Sequence, residues 1–474
     1  MYNIASIEIK EKDIIEYSKE LAILSNNLYN RTLYIYRQLF TGLSKKIPTT
    51  NEKEVIDLIN KYTKPYNKKL KAKYKKEHGS IKGFTGVKID KDHKFINYNF
   101  LDYIYKNEND IDYRSLPIHT AQNVIKQVIH DIESFFNAIK EYKINPDKFL
   151  GRPKLPKYHT KGGYNVVYIS NISSKIQDNL LKLPKIAKGK ECKYIKLKED
   201  IFKDKGSFYN LKIKIENNKV IYRLTFDNKQ KEKDKLPDNN RYAGIDLGVD
   251  NIITLTNNIG LRPILIKGND IKAYNQYINK KVSEYTSIAK KVNNLFTTKR
   301  IQSMWDKRFK YFYNFFHRIN NLIINYLKTF NINTIVIGKN NSWKQELKLH
   351  KKDKQNFAYI PYEMFISDLK YKCDKEGINC IIREESYTSK ASFFDFDNIP
   401  VYNKSDKTKY KFSGKRIKRG LYQTDKVLIN ADVNGSCNII RKEFPDAFNN
   451  IDLKYLLNPI KVSQMTSVYG IVGE

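Results

Sequence analysis

The sequence predicts an α+β chain of more than one domain. Its 474 residues are enough for two to four domains, and 41% hydrophobic with 13% aromatic residues can bury a large core. In the second half, short apolar runs alternate with long helical patterns, which is typical of a layered α/β domain. In the first half, a helical region lies between strand-like segments, which indicates a helical insertion into a β-rich domain.

The first half opens with strand-like alternation over residues 1–10 and continues as a helical pattern from Glu11 to about Phe40. The strongest helical signal is Ile118–Tyr142, where apolar residues recur at the spacing of one helix face. Strands are expected at Val166–Ile169, Leu211–Ile215 and Val220–Phe226. The polar segment Asp227–Asn240 is predicted to be a linker.

The second half opens with a predicted buried strand, Tyr242–Asp246, which turns at Gly248 into another strand. Long helices are expected over Asp270–Asn294 and Gln302–Phe330, and the second places six apolar residues on one side. The residues of that side are Trp305, Phe309, Phe312, Phe316, Ile319 and Ile323. The remaining predictions are a strand at Thr334–Gly338, a helix at Pro361–Glu376 and a strand at Asn379–Arg383.

The charge balance predicts a polyanionic partner. Lys and Arg number 87 against 51 Asp and Glu, so the net charge is +36. Nucleic acid is the leading partner, and an anionic membrane surface is the alternative. No run of about 18 apolar residues and no signal peptide is found, so we expect a cytoplasmic protein with no membrane partner. The four cysteines form no CxxC pair, so we expect no disulfide partner and no zinc site.

Carboxylates stand at three places where burial would be costly. Asp246 ends an apolar strand, Asp432 lies in the first turn of a helix that Asn430 should cap, and Glu384 and Glu385 follow a strand. Turn capping and the helix dipole are ordinary alternatives for the two aspartates. Adjacent glutamates point to opposite faces, so at most one should share a site with Asp246. Three such carboxylates suit Mg²⁺ and phosphoryl-transfer or nuclease chemistry.

The predicted helix after Asn430 carries two further polar residues. Asn434 and Asn438 are four residues apart and share one helical face, with Asp432 nearby. They are expected to point inward among packed apolar residues, which argues against a purely dipolar role for Asp432.

In its motifs and their order, the second half resembles the TnpB family of transposon-associated, RNA-guided DNA nucleases, relatives of compact type V CRISPR effectors. The matching stretches are GIDLGVDN (244–251), TIVIGKNNSWKQ (334–345), NFAYIPYEMFISDLKYKCDKEGI (356–378), EESYTSKASFFDFDNIP (384–400), FSGKRIKRGLY (412–422) and INADVNGSCNIIRK (429–442). Two first-half stretches, 116–136 and 151–159, are also similar to family elements.

The resemblance implies an RNase H-like α/β RuvC domain, in which Asp246 and Asp432 are catalytic metal ligands. It also implies a β-rich wedge domain with an inserted α-helical recognition domain. The expected divisions are 1–10 and 148–238 for the wedge, 11–147 for recognition, 239–387 and 429–474 for RuvC, and 388–428 for an insert that binds target nucleic acid.

The chain departs from the family pattern at the middle glutamate. Gly338 stands where the family usually has that glutamate, directly after the strand Thr334–Ile337. Some branches of the family look rearranged, in that the glutamate comes from the end of the next strand, in an E-x-x-[TS]-S context. Glu385 fits that context and is the expected third catalytic and metal-binding residue, with Glu384 as the alternative.

The family's paired CxxC motifs are also missing from the insert. We therefore expect an insert without zinc, held together by a small aromatic core. The residues of that core are Phe393, Phe394, Phe396, Phe412 and Tyr422. Asp395 and Asp397 are expected to serve turns or caps rather than a metal.

The expected function is RNA-guided cleavage of DNA with two Mg²⁺ ions, or Mn²⁺, and no zinc. The partners would be a guide RNA and target DNA with a short adjacent duplex motif; monomer and dimer both stay open. Nucleic-acid contacts are expected from Lys344, Lys415, Arg416, Lys418 and Arg419. Two rivals are a nuclease-inactive RNA-guided regulator and a transposase that cuts DNA without RNA.

Overall fold

The computed structural model describes residues 2–149, 151–186, 191–203, 205–216, 219–228, 233–339, 360–401, 408–418 and 420–462. The chain divides into two compact units, Met1–Gln230 and Lys231–Glu474. Within the described ranges, no helix is both long and apolar enough to cross a membrane.

Helices dominate the first part of unit one. They are α1 (Lys12–Gly42), α2 (Thr50–His78), α3 (Tyr98–Asn107), α4 (Ile111–Arg114) and α5 (Ile118–Ile144). Helix α2 was not expected from the sequence pattern, because its apolar stripe is narrow and lies among many lysines. Val55, Ile59 and Tyr66 of this stripe are buried. A capping box between Thr49 and Glu52 fixes its start, as both backbone N–H groups there find side-chain acceptors.

The strands of unit one form two antiparallel sheets. Its strands are β1 (Tyr2–Ile9), β2 (Val167–Ser170), β3 (Lys175–Gln177), β4 (Leu180–Lys182), β5 (Tyr194–Lys196), β6 (Ser207–Glu216) and β7 (Lys219–Asp227); the short helix α6 (Glu199–Phe202) follows β5. The larger sheet has the order β1-β7-β6-β2, so the amino-terminal strand pairs with a strand some two hundred residues later. The smaller sheet is β3-β4-β5.

Unit two is built on a six-stranded sheet. Its strands are β8 (Tyr242–Asp246), β9 (Asn251–Asn257), β10 (Ile264–Lys267), β11 (Thr334–Gly338), β12 (Asn379–Arg383) and β16 (Ile460–Val462), in the order β12-β11-β8-β9-β10-β16. Strands β8, β9 and β10 form an antiparallel meander, whereas β11 and β12 run parallel to β8. This is the RNase H-like arrangement that the family resemblance implies, and it brings the carboxyl ends of β8, β11 and β12 to one edge.

Helices cover both faces of this sheet. They are α7 (Asn269–Asn293), α8 (Lys299–Thr329), α9 (Tyr362–Glu376) and α10 (Ala431–Glu443). Ala243 and Ile245 of β8 lie in the core shared with α8 and α9, whereas Tyr242 packs with residues of α10. Because side chains alternate along a strand, Gly244 and Asp246 also face α10.

The apolar side of α8 is buried only in part. Phe312, Phe316, Ile319 and Ile323 are buried, but Trp305 and Phe309 are 37% and 57% exposed. The reason is length, because a helix of 31 residues is about 46 Å long, whereas a five-residue strand spans roughly 17 Å. The first third of α8 therefore has no sheet beneath it.

The segment expected to be the insert (388–428), together with the two residues after it, carries a three-stranded sheet, β13 (Lys415–Lys418), β14 (Leu421–Gln423) and β15 (Leu428–Asn430). Its aromatic core is only partly as expected. Phe393 and Tyr422 are buried, but they share a cluster with residues of α10, and Phe396 is 45% exposed. Among the described residues of the insert, these two buried rings therefore pack against α10 rather than in a separate core.

Asp395 and Asp397 hold the turns of the insert, as expected. An oxygen of Asp397 accepts hydrogen bonds from the backbone N–H groups of Ser392 and Ser413, at 2.7 and 3.1 Å. Asp395 accepts from the hydroxyl of Ser392 at 2.5 Å and from the backbone of Asp425 at 3.1 Å.

Gly244→Ala is expected to destabilise unit two by roughly 1–3 kcal/mol, because overpacking forces backbone shifts. An added methyl group would lie 2.6 Å from Cγ1 of Ile440 and 2.7 Å from the backbone oxygen of Ser436. Thermal unfolding measures the effect. Gly151→Ala is the matched control, since nothing lies within 4 Å of its added methyl group. Equal melting temperatures for both variants would contradict the close approach of β8 and α10.

Candidate active site

Asp246 is the last residue of β8 and lies at the sheet edge where parallel strands end. It is partly buried beneath α10, and an added methyl group on Gly435 would lie only 3.1 Å from its Oδ2 atom. A larger residue at position 435 would therefore press on this carboxylate. The helix can approach Asp246 so closely because that position is a glycine.

Asp432 reaches the same edge from the first turn of α10. The side chain of Asn430 caps this helix, as expected, by accepting from the backbone N–H groups of Asp432 and Val433 at 3.0 and 3.2 Å. Oδ2 of Asp432 accepts a 2.6 Å hydrogen bond from the side-chain amide of Asn251, at the start of β9. Its Oδ1 lies 3.8 Å from a guanidinium nitrogen of Arg416.

The two adjacent glutamates after β12 have different environments. Glu384 forms a 2.5 Å ion pair with Lys442, a side chain that is only 3% exposed, and accepts from the backbone N–H of Ser386 at 2.7 Å. Burial opposes ionisation of Glu384, but the hydrogen bonds from Lys442 and Ser386 outweigh it and lower its pKa. Glu385 instead directs a buried oxygen, Oε2, towards β11. Glu384 therefore has a structural partner, whereas Glu385 faces the sheet edge.

Gly338 makes room for Glu385. A methyl group added to Gly338 would lie 2.8 Å from Oε2 of Glu385 and 2.4 Å from Cδ1 of Ile439. The carboxylate of Glu385 thus occupies space directly above the position where the family pattern has a glutamate. The two positions are alternatives for one location, because strands β11 and β12 are neighbours.

The three carboxylates interact electrostatically. Burial, the charge of Glu385 and the charge of Asp432 raise the pKa of Asp246 well above its ordinary value, while Arg416 and the backbone N–H of Leu247 oppose the rise. Burial and the charge of Glu384 raise the pKa of Glu385 to about 7, against the opposing charge of Lys442. Like charges that raise one another's pKa are stabilised by a cation placed among them.

The donor set is therefore chemically suited to a hard divalent cation, since all three groups offer carboxylate oxygens. Asp246, Glu385 and Asp432 are the residues that could hold it. The geometry is not that of a finished metal cage, because among the described residues no group of three or more His, Cys, Asp or Glu side chains is arranged to hold a metal ion.

The structure describes three of the five basic residues that were expected to contact nucleic acid. Lys415, Arg416 and Lys418 lie on β13, an exposed strand, and Arg416 is the one that reaches Asp432. Lys344 and Arg419 lie outside the described residues.

Sequence reasoning missed the groups that support the carboxylates. Asn251 holds Asp432, and the hydroxyl of Tyr362 donates to the backbone oxygen of Gly248, two residues after Asp246. The only signal for Asn251 is a polar residue at the start of a buried strand. For Tyr362 no pattern in the sequence indicates its partner, because the two residues are more than a hundred positions apart.

Asn434 and Asn438 point inward as expected, but their partners are backbone groups. The side-chain amide of Asn434 donates to Ala391 at 2.9 Å and accepts from the backbone of Phe393 at 3.0 Å. The amide of Asn438 donates to the backbone oxygens of Thr388 and Ala391, at 2.9 and 2.7 Å. Helix α10 thereby holds the loop that follows Glu385.

A family model described as OrfB_IS605, "Probable transposase", matches residues 223–344. The match confirms the resemblance to the TnpB family that the motifs predict. The OrfB_IS605 segment includes Asp246 and Gly338 and ends before Glu385 and Asp432. Among curated proteins, none matches the chain.

Two solved structures are weakly similar to this chain in shape. A chain of the cryo-EM structure of a Cas12f1–sgRNA–target DNA complex is 14% identical, with a TM-score of 0.47, over 91% of this chain and 83% of that chain. A chain of a CRISPR–Cas12f ternary complex is 13% identical, with a TM-score of 0.30, over 94% and 83%.

Glu385→Gln is expected to raise the melting temperature by roughly 2–4 °C at pH 8 without divalent cations. The folded protein ionises Glu385 near pH 7, whereas the ordinary value is 4.5, so its charge costs stability above pH 7. The cost shrinks as the pH falls from 7 to 4.5, and the advantage of glutamine should vanish with it. Calorimetry from pH 4.5 to 8 measures this dependence.

Glu384→Gln is the matched control for that experiment. It should lower the melting temperature at pH 8, because Lys442 would lose its partner while still buried. The lowered pKa of Glu384 means that this loss fades only as the pH falls below about 4.5. Shifts in the same direction for both variants at pH 8 would refute the two different environments.

Gly338→Ala is expected to destabilise unit two more in the wild-type background than in a Glu385→Ala background. The methyl group clashes with both Ile439 and the Glu385 carboxylate, and removing the carboxylate relieves one clash. A double-mutant cycle in urea should give a coupling energy of about 1 kcal/mol. Strict additivity would mean that the carboxylate of Glu385 does not occupy the space above Gly338.

Proposed function

We propose that this protein is an RNA-guided DNA endonuclease whose RuvC-type site contains Asp246, Glu385 and Asp432. The observation that carries the proposal is the electrostatic grouping of these carboxylates, since Glu385 and Asp432 both raise the pKa of Asp246. The three carboxylates come from three separate elements. Their mutual repulsion costs folding stability, and a purely structural role does not explain why that cost is maintained.

The bound cofactor would be two Mg²⁺ ions, or Mn²⁺, held by these three carboxylates. When bound, such ions activate a water molecule and stabilise the charge that develops on a phosphodiester. Asn251 would keep Asp432 oriented, and Asn438 would keep the loop after Glu385 in position. Arg416, which already contacts Asp432, would bind a phosphate of the DNA strand at the entrance to the site.

The guide RNA and the target DNA are supported by the family match and by the net charge of +36. Base pairing with the guide would select the sequence, while the protein recognises the hybrid by its charge and shape. The amino-terminal half would recognise the short duplex motif beside the target. The insert with exposed Lys415 and Lys418 would contact phosphates near the cut.

A nuclease-inactive RNA-guided DNA-binding regulator is the second candidate. Gly338 favours it, since this position offers no carboxylate, and so does the lack of a preformed metal-binding group among the described side chains. Both candidates bind the same partners and differ in whether the DNA is cut.

The test is a cleavage assay with the protein and the RNA that co-purifies with it. A plasmid carrying a match to that RNA, with a randomised flanking sequence, should be cut in Mg²⁺ but not in EDTA. Asp246→Asn, Glu385→Gln and Asp432→Asn should each slow cutting by at least about a hundredfold, the kinetic equivalent of several kcal/mol. Glu384→Gln should retain most of the activity and is the matched control.

The outcomes separate the candidates. A wild-type complex that binds the matched plasmid without cutting it would favour the regulator. Cutting that survives removal of the RNA with ribonuclease would favour a transposase that works without a guide. Loss of activity in Glu384→Gln but not in Glu385→Gln would exchange the roles of the two glutamates.

A further inference from the structure

Helices α7 and α8 form a hairpin that starts beside the candidate active site. The backbone N–H of Gly268 donates to the backbone oxygen of Asp250 at 2.9 Å, and Lys272 forms a 2.5 Å ion pair with Asp250. Asp250 is in the loop that follows Asp246. The hairpin, residues 269–313, is called the arm below, and its base lies at the sheet edge that carries the carboxylates.

The arm extends away from that edge. Its two helices run antiparallel, since Arg308 donates to Asn275 at 2.8 Å and Arg300 lies 4.1 Å from the ring centre of Tyr285. Helix α8 returns along α7 and enters the sheet core only at Phe312. The part of the arm before Phe312 thus projects beyond the carboxyl ends of the strands.

Three exposed aromatic rings follow one another along one side of α8. Trp305, Phe309 and Tyr313 recur at every fourth residue of α8 and are 37%, 57% and 47% exposed. The rings of Phe309 and Tyr313 are 6.4 Å apart with planes 15° from parallel, and Tyr313 is similarly aligned with His317, at 5.8 Å and 12°. We call Trp305, Phe309 and Tyr313 the aromatic row. Large rings exposed in series on one face indicate an interaction surface.

The arm is strongly basic. Residues 269–313 contain ten Lys and Arg against three Asp and Glu. Lys307 and Lys310 are exposed on α8 beside the aromatic row, where the one acidic neighbour in sequence is Asp306. A second copy of this surface would bring like charges together, whereas a polyanion would neutralise them. The charge therefore favours nucleic acid over self-association.

We propose that the aromatic row binds single-stranded DNA by stacking on unpaired bases and directs the strand towards the Asp246 edge. Aromatic rings beside cations are the usual means of binding single strands, because every base offers a stacking face and every nucleotide a phosphate. Duplexes hide the faces of their bases, so the row selects single strands. The assignment to DNA rests on the proposed function, since the arm starts at the site where DNA would be cut.

The test compares three variants of the full chain for binding of a fluorescent 20-nucleotide oligo(dT) in EDTA. W305A/F309A/Y313A should weaken binding by about tenfold or more, because each lost stacking contact costs severalfold. W305F/F309Y/Y313F should bind like the wild type, since the rings remain. I288A/V292A is the matched control, as both residues are exposed on the same arm but are aliphatic.

Salt dependence and crosslinking identify the mode of binding. The slope of affinity against salt should be unchanged in the triple alanine variant, since no charge is removed, and should fall for K307A/K310A. An oligonucleotide with 5-iodouracil should crosslink to residues 305–313 in the wild type. Unchanged oligo(dT) affinity of the triple alanine variant would overturn the proposal.

Two other outcomes would also overturn it. Loss of oligo(U) binding with intact oligo(dT) binding would assign the row to RNA, and a change of oligomeric state by light scattering with unchanged DNA binding would assign it to a second copy. Failure of the nuclease proposal can be distinguished from failure of the single-strand-binding proposal. Glu385→Gln should bind oligo(dT) normally while cutting far more slowly than the wild type, and a wild type that never cuts can still show the loss of binding in the triple alanine variant.

Discussion

The close approach of helix α10 to strand β8 is the constraint on which the candidate site depends. The hydroxyl of Ser436 donates to the backbone oxygen of Gly244 at 2.9 Å and is bonded to Thr256 at 2.8 Å, so the helix is fixed to two strands. Gly244 and Gly435 provide the space, since a methyl group on either would press on a neighbour. This contact brings Asp432, at the start of α10, to Asp246, at the end of β8.

The same helix also organises the third carboxylate. Asn434 and Asn438 bind backbone groups of the loop after Glu385, and Lys442 binds Glu384, so α10 holds that segment at several points. Glu385 has the higher pKa of the two, because burial and the charge of Glu384 raise it, whereas the burial of Glu384 is outweighed by hydrogen bonds from Lys442 and Ser386 that lower its pKa. A single helix thus holds Asp432 in place and sets the difference between the two glutamates.

Much of the fold was predictable because its signals are local. The strands Thr334–Gly338 and Asn379–Arg383 and the helix from Ile118 follow from apolar spacing alone, and Asn430 was recognisable as a cap. Local signals failed where the partner is distant. Helix α2 carries its few buried residues among lysines, and the amino-terminal third of α8 has a helical apolar side with no sheet beneath it.

The sequence by itself determined which residue types are available: acids at strand ends, a glycine in place of a glutamate, and an excess of basic residues. Tertiary structure decided which of them meet. Whether Glu384 or Glu385 faces Asp246 depends on the position of Lys442 and on the room that Gly338 leaves for the Glu385 carboxylate, and both are set by packing between segments distant in the chain. Spacing along one strand cannot encode such contacts, since it specifies the two faces of the strand but not what lies against them.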